Sequence, residues 1–80
     1  MVNTRNAPRH RVSKPGTIEF LGGSLSCVVR DLSLTGAAIE FSVQSGGIPE
    51  RFTLVMPDDG LRLPCRVAWR RDYRLGVAFE

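Results

Sequence analysis

Two short stretches carry the residues best suited to chemistry. In "DLSLTG", residues 31–36, a carboxylate (Asp31), a hydroxyl (Ser33) and a glycine (Gly36) follow one another at spacings of two and three. Upstream, "RNAPR" sets Arg5 and Arg9 four residues apart around Pro8. Proline disfavours helix at the residue before it, so this stretch reads as extended. Two guanidiniums on an extended chain could grip one compact anion from two sides. Arginine suits that work because its planar fork pairs bidentately with oxyanions and its flat face stacks on aromatic rings. "DLSLTG" also reads as plain turn chemistry. Asp31 and Ser33 would cap backbone groups, and Gly36 would supply a conformation closed to other residues. His10, beside Arg9 and Arg11, reads as a solvated or phosphate-proximal side chain, and Arg30 stands immediately before Asp31. A Ser33–His10–Asp31 triad can be written down. However, Asp31 lies two residues from Ser33 in one turn, and nothing sets His10 between them as a base. No phosphate loop and no metal-ligand set accompany it, so an enzyme is not the reading.

These residues must be positioned by a small molecule of protein. Eighty residues make one domain, and 42% hydrophobic content is enough for a core rather than a disordered chain. No apolar run approaches the roughly 18 residues of a transmembrane helix. The N-terminus lacks the apolar stretch of a signal peptide, so a cytoplasmic protein is expected. Cys27 and Cys65 fall in strand-like runs and read as reduced core thiols. Together with His10 they fall short of a four-ligand zinc site, and no metal is expected. The net charge is +3 and unevenly placed. Residues 1–14 carry Arg5, Arg9, Arg11 and Lys14 and no acid, whereas the rest holds seven basic and eight acidic residues. A partner bearing phosphates is one inference, and a solvated tail that keeps the domain soluble is the other.

From Val12 onward the hydrophobic pattern has period two. Six strands follow from it: "TIEFL", "SLSCVVR", "AAIEF", "RFTLVM", "LRLPCRVAWR" and "RLGVAF". Inward faces are expected at Ile18 and Phe20; Leu25, Cys27 and Val29; Ala37, Ile39 and Phe41; Phe52, Leu54 and Met56; Leu61, Leu63, Cys65, Val67 and Trp69; and Leu75, Val77 and Phe79. Arg62, Arg66 and Arg70 should face outward, and Tyr73 should be exposed. "GGS", "QSGGIPE", "PDDG" and "RDY" separate the strands as turns. Pro64 inside the longest strand points to a bulge or an unpaired edge. Six short antiparallel strands with one apolar face each should close into an all-β barrel, because closure removes exposed edges. The expected organisation is a flexible basic arm over residues 1–11 and a barrel over 12–80.

Taken together, Arg5-Asn6-Ala7-Pro8-Arg9 and Asp31-Leu32-Ser33-Leu34-Thr35-Gly36 resemble the two motifs of the PilZ domain family, bacterial receptors for the second messenger cyclic di-GMP. Those motifs are RxxxR before the first strand and (D/N)xSxxG after the second. The resemblance extends through "GIP" before "FTLVMP", a strand ending in "RVAW", and the terminal "LGVAFE". It implies a nucleotide-binding module with Arg5, Arg9, Asp31, Ser33 and Gly36 as ligand-binding residues. Arg11, His10 and Arg30 are candidates for secondary contacts. Arg5 and Arg9 would take phosphate and the guanine O6/N7 edge, and would stack. Asp31 would accept from guanine N1–H and N2–H2 or hold an arginine, Ser33 would donate, and Gly36 would leave room for the ligand. Thr4 before the first arginine leans towards one bound ligand rather than two. Many family members carry a C-terminal helix beyond the barrel, which this chain is expected to lack.

The expected function is therefore a cyclic di-GMP receptor that needs no cofactor, orders its arm over the barrel and signals to a downstream protein, without a membrane partner. One alternative is a PilZ-like module that binds protein and no nucleotide, although such members typically lack the residues retained here. Another is a small basic barrel that binds nucleic acid. That reading is disfavoured because its strands should turn aromatics outward for stacking, whereas Phe20, Phe41, Phe52, Trp69 and Phe79 follow the core phase.

Overall fold

The computed structural model describes residues 9–80. Six antiparallel strands are present: β1 (His10–Phe20), β2 (Gly23–Leu32), β3 (Gly36–Glu40), β4 (Arg51–Met56), β5 (Leu61–Arg71) and β6 (Arg74–Phe79). They close into a barrel in the order β1-β2-β3-β6-β5-β4. The all-β, six-stranded expectation holds. The only helical elements among the described residues are single 3-10 turns at Ser45–Gly47 and Pro57–Asp59. β1 starts at His10, ahead of the expected barrel boundary at Val12 and well ahead of the expected strand "TIEFL". The reason is a partner: β2 runs on to Leu32, so that His10 pairs with Leu32 and Arg11 with Asp31.

The core is what period two dictates. Ile18, Val29, Ile39, Leu54, Met56 and Leu75 are fully buried, one or more from every strand except β5, which adds Cys65. Turns follow their glycines. Gly22 (φ 106°) and Gly60 (φ 64°) take the left-handed backbone that tightens the β1–β2 and β4–β5 connections. The long connection from β3 to β4 is held from below. Arg70 Nη1 donates to the carbonyls of Ser45 (2.6 Å) and Ile48 (2.8 Å), and buried Ser45 donates its hydroxyl to the Arg71 carbonyl. Leu61 departs from its expected inward position and is 38% exposed, at the rim of the barrel.

Pro64 pairs with Thr53 of β4, and its carbonyl accepts from the Glu80 N–H at 2.9 Å. In an extended strand the N–H and C=O of one residue point to the same side. The missing donor of Pro64 therefore faces the end of β6, where the ladder stops at Phe79 opposite Cys65. Neither expectation for Pro64 holds: the β4–β5 register runs through it without a bulge, and β5 lies between β4 and β6 in the closed barrel, so the proline is tolerated because its missing N–H falls where the β6 ladder ends.

The bulges lie elsewhere. Between β2 and β3 the register steps from Val29–Ile39 to Asp31–Ala38, which leaves Arg30 as an extra residue. Between β5 and β6 it steps from Val67–Val77 to Trp69–Gly76, which leaves Ala68. A third shift lies in β1 between Arg11 and Lys14. An extra residue inverts the in–out phase of everything beyond it. Without the bulge Asp31 would follow Leu25, Cys27 and Val29 inward, and Trp69 would follow Cys65 and Val67. With it, both turn outward. Trp69 is 43% exposed, which corrects the expectation that it belongs to the core face.

Candidate functional site

The two bulges place Asp31 and Trp69 in one transverse row. Across the outer face the register partners run Arg11 (β1), Asp31 (β2), Ala38 (β3), Gly76 (β6) and Trp69 (β5). The middle of the row is small, so Ala38 and Gly76 form a floor between a carboxylate and an indole. The next row adds Gly36 opposite Ala78. The result is a cleft of about 420 Å³ whose lining includes Arg9, Asp31, Ser33, Gly36, Trp69 and Gly76. Four of the five expected ligand-binding residues thus line one cleft. The fifth, Arg5, lies outside the described residues.

The β2–β3 turn is built by Ser33. Its hydroxyl oxygen accepts from the N–H groups of Thr35 and Gly36, each at 3.2 Å. The Ser33 N–H donates to the Gly36 carbonyl at 3.0 Å. The hydroxyl proton points to the Gly36 carbonyl or the Thr35 hydroxyl, both 3.3 Å away. This is the serine turn expected from the sequence. It also presents Ser33 at a half-buried rim beside Asp31. Gly36 is glycine for a different reason from the one anticipated. Its φ is not positive. A Cβ there would run into the backbone carbonyl of Val77, so the glycine allows β3 to approach β6 closely. Gly76 follows the same logic with a side chain, because a Cβ would overlap the pyrrole edge of Trp69. The indole is seated on Gly76, which fixes it as a wall of the cleft.

The candidate secondary contacts separate. Arg11 stands opposite Asp31 in register. Arg30 is engaged away from the cleft: Nε donates to Glu40 at 2.8 Å and Nη1 to the Ser13 hydroxyl at 3.3 Å. That hydrogen bond, with the charges of Arg30 and Arg74 close by, holds the Glu40 carboxyl below the usual carboxylate range. His10 lines a different cavity, an apolar one of about 570 Å³ with Leu34, Leu61, Leu63 and Phe79 at the end of the barrel. Leu32 and Ser33 border both spaces. A charged ligand fits the cleft that offers Arg9, Asp31 and the Ser33 turn, and not the apolar one.

The thiols are core groups. Burial pushes Cys27 up to about 12 and Cys65 up to about 11, so both are protonated and unreactive near neutrality. No group of three or more potential ligands is clustered to hold a metal among the described residues. No helix there is long and apolar enough to cross a membrane.

Sequence reasoning missed Trp69, Ala38 and Gly76 as parts of the site. One signal pointed to them. A glycine inside an apolar strand marks a bulge or a close approach by another group, and Gly76 in "RLGVAF" is such a glycine. Compared with known proteins, the chain matches the family model of the PilZ domain over residues 3–80. No curated protein matches it.

Proposed function

Because the chain belongs to the PilZ domain family, we propose that it binds cyclic di-GMP in the cleft between the β2–β3 turn and Trp69. The family is associated with this ligand, and the single observation that carries the reading here is the lining. Arg9, Asp31, Ser33 and Gly36, the described part of the two motifs, converge on one cleft with an exposed indole as its far wall. The chemistry of each group suits a guanine dinucleotide. Arg9 pairs with a phosphate or a guanine O6/N7 edge. Asp31 accepts from the N1–H and N2–H2 edge, and the Trp69 ring offers a surface on which a base stacks. The small side chain of Ala38, between Asp31 and the indole seated on Gly76, lets a flat ring approach the sheet.

The ligand then bridges barrel and N-terminal segment. Arg5 joins Arg9 on the dianion, the mutual repulsion of Arg5, Arg9 and Arg11 is relieved, and the surface shown to a downstream protein changes; Lys14 is already paired with Asp59 at 3.1 Å. Fixing each residue costs about 1–2 kcal/mol. Charge-assisted hydrogen bonds of about 1.5–3 kcal/mol each offset that cost. The role is that of a cytoplasmic binding module and not of an enzyme.

A calorimetric titration with cyclic di-GMP, beside GTP and linear pGpG, on the wild type and on Arg9→Ala, tests this. Saturable heat from cyclic di-GMP alone, abolished in Arg9→Ala, is expected. A wild type that gives no heat with cyclic di-GMP overturns the proposal and leaves a protein-interaction barrel.

A further inference from the structure

The arginines of β5 are not equivalent. Arg62 pairs with Glu19 at 2.7 Å and Arg66 with Glu80 at 3.5 Å, while Arg70 is committed to the Ser45 and Ile48 carbonyls. Arg71 makes no ion pair among the described residues. Its guanidinium instead lies over the Trp69 ring, 5.4 Å from the centroid. Trp69, the single tryptophan of the chain, remains 43% exposed with Arg71 in place, so part of the indole is left uncovered.

Stacking uses the flat face of a guanidinium and leaves its N–H edges free. A base that stacks on the uncovered part of the same indole lies in a plane parallel to the ring. With the Arg71 guanidinium laid flat on the same indole, the base and the guanidinium lie side by side and roughly coplanar. Two in-plane edges facing each other are what a bidentate arginine–guanine pair requires, with N–H groups directed at O6 and N7. A tetrahedral phosphate gains nothing from such coplanarity. Arg71 itself lines a neighbouring hollow with Gln44, Ser45 and Asp72 and meets the cleft through the indole, which lines it together with Arg9; Arg9 can address the other half of a two-base ligand.

We propose that Arg71, held in plane by Trp69, reads the O6/N7 edge of one guanine of the ligand and so makes the cleft selective for guanine at that position. This rests on the cyclic di-GMP reading and adds a specificity residue outside both sequence motifs. Adenine at the same position would set an N6 donor against the Arg71 donors in place of an acceptor.

The test follows the fluorescence of Trp69 in the full chain during titration with cyclic di-GMP and with the mixed cyclic dinucleotide in which adenine replaces one guanine. The wild type should prefer cyclic di-GMP by about tenfold or more, the scale of one bidentate base contact. Arg71→Ala should bind cyclic di-GMP about tenfold more weakly and should lose the preference, with the two ligands within about twofold. Arg71→Lys keeps the charge but not the planar fork and should behave as Arg71→Ala. Arg62→Ala removes an equal charge from the same strand and should bind as the wild type does. Thermal melts check that each variant is folded. Retention of the wild-type preference in Arg71→Ala, or full rescue by Arg71→Lys, overturns the inference while leaving the receptor reading intact. A wild type that binds neither dinucleotide removes both.

Discussion

The β4–β5 ladder and the β2–β3–β6–β5 face are built from the same kind of strand but differ in one respect. From Arg51–Arg66 to Met56–Leu61 the β4–β5 register never slips. There the outward charges neutralise one another: Arg62 with Glu19, and Arg51 and Arg66 with Glu80. On the other face two ladders slip by one residue each, at Arg30 and at Ala68. Beyond the slips stand groups that have no ion-pair partner among the described residues, Asp31 and Arg71, together with a half-exposed tryptophan. The unbroken ladder supplies stability, and the interrupted ones re-aim side chains that alternation would have buried. A bulge is thus the device by which a barrel of this size, with little surface to spare, makes a site without adding a loop.

Substitutions on the two faces should separate stability from binding. Leu54→Ala, in the unbroken ladder, should cost about 2–5 kcal/mol in a denaturant melt, because it empties a fully buried site. Gly36→Ala is the one large stability effect expected on the outside of the bulged face. Forcing a Cβ against the Val77 carbonyl should destabilise by about 3 kcal/mol. Gly46→Ala, with open space around its Cα, should be nearly neutral in the same assay. A mild Gly36→Ala would mean that the glycine serves the ligand and not the β3–β6 approach.

Trp69→Ala should reverse the pattern. Stability should fall by less than about 1 kcal/mol, and calorimetric affinity for cyclic di-GMP should fall by the roughly 1–3 kcal/mol of one lost stacking contact. Equal losses in both would erase the distinction between the faces. The thiols give a smaller, graded effect. Cys27 and Cys65 ionise near 9.0 when unfolded but only at about 12 and about 11 when folded. The unfolded chain therefore releases protons first as pH rises above 9. Stability is fully present below that pH and should decline by about 1 kcal/mol per pH unit per thiol towards pH 11. Melts of Cys27→Ala and Cys65→Ala should show a shallower decline. Least of all, Arg62→Ala should cost no more than about 0.5 kcal/mol, since its ion pair with Glu19 is exposed.

The strands were legible because each has a clean apolar phase. All six appear, although β1 begins at His10 rather than within "TIEFL", and Ile18, Val29, Ile39, Leu54 and Leu75 are buried as that phase requires. The slips left little mark, since an extra residue keeps a pattern that still looks apolar, and only Gly76, opposite Trp69, pointed to the one in β5. Trp69 continues the phase of Cys65 and Val67 and gives no hint that Ala68 has turned it over. Asp31 carried an ambiguous hint: a carboxylate two residues beyond Val29 falls where the phase demands an apolar group, which either the end of the strand or a bulge resolves, and the structure has the bulge. The motif residues could be named from their spacing. Their common cleft could not, because it depends on register across four strands, which no local pattern records.

Closure of the barrel has a kinetic consequence. Four of the six neighbouring strand pairs are hairpins; the other two, β3 against β6 and β1 against β4, are non-local, and the shorter of these ladders, β1 against β4, joins residues 17–19 to residues 53–55. Three register pairs, Thr17–Val55, Ile18–Leu54 and Glu19–Thr53, make that seam. Contacts so distant along the chain form late, because loop-closure entropy must be met before they contribute. The same brevity makes the seam the first place to part in transient openings, so the amides of β4 that face β1 should exchange with solvent ahead of those between β5 and β6. The bulged face, carried on the far side of the ring, can keep its geometry while the seam breathes.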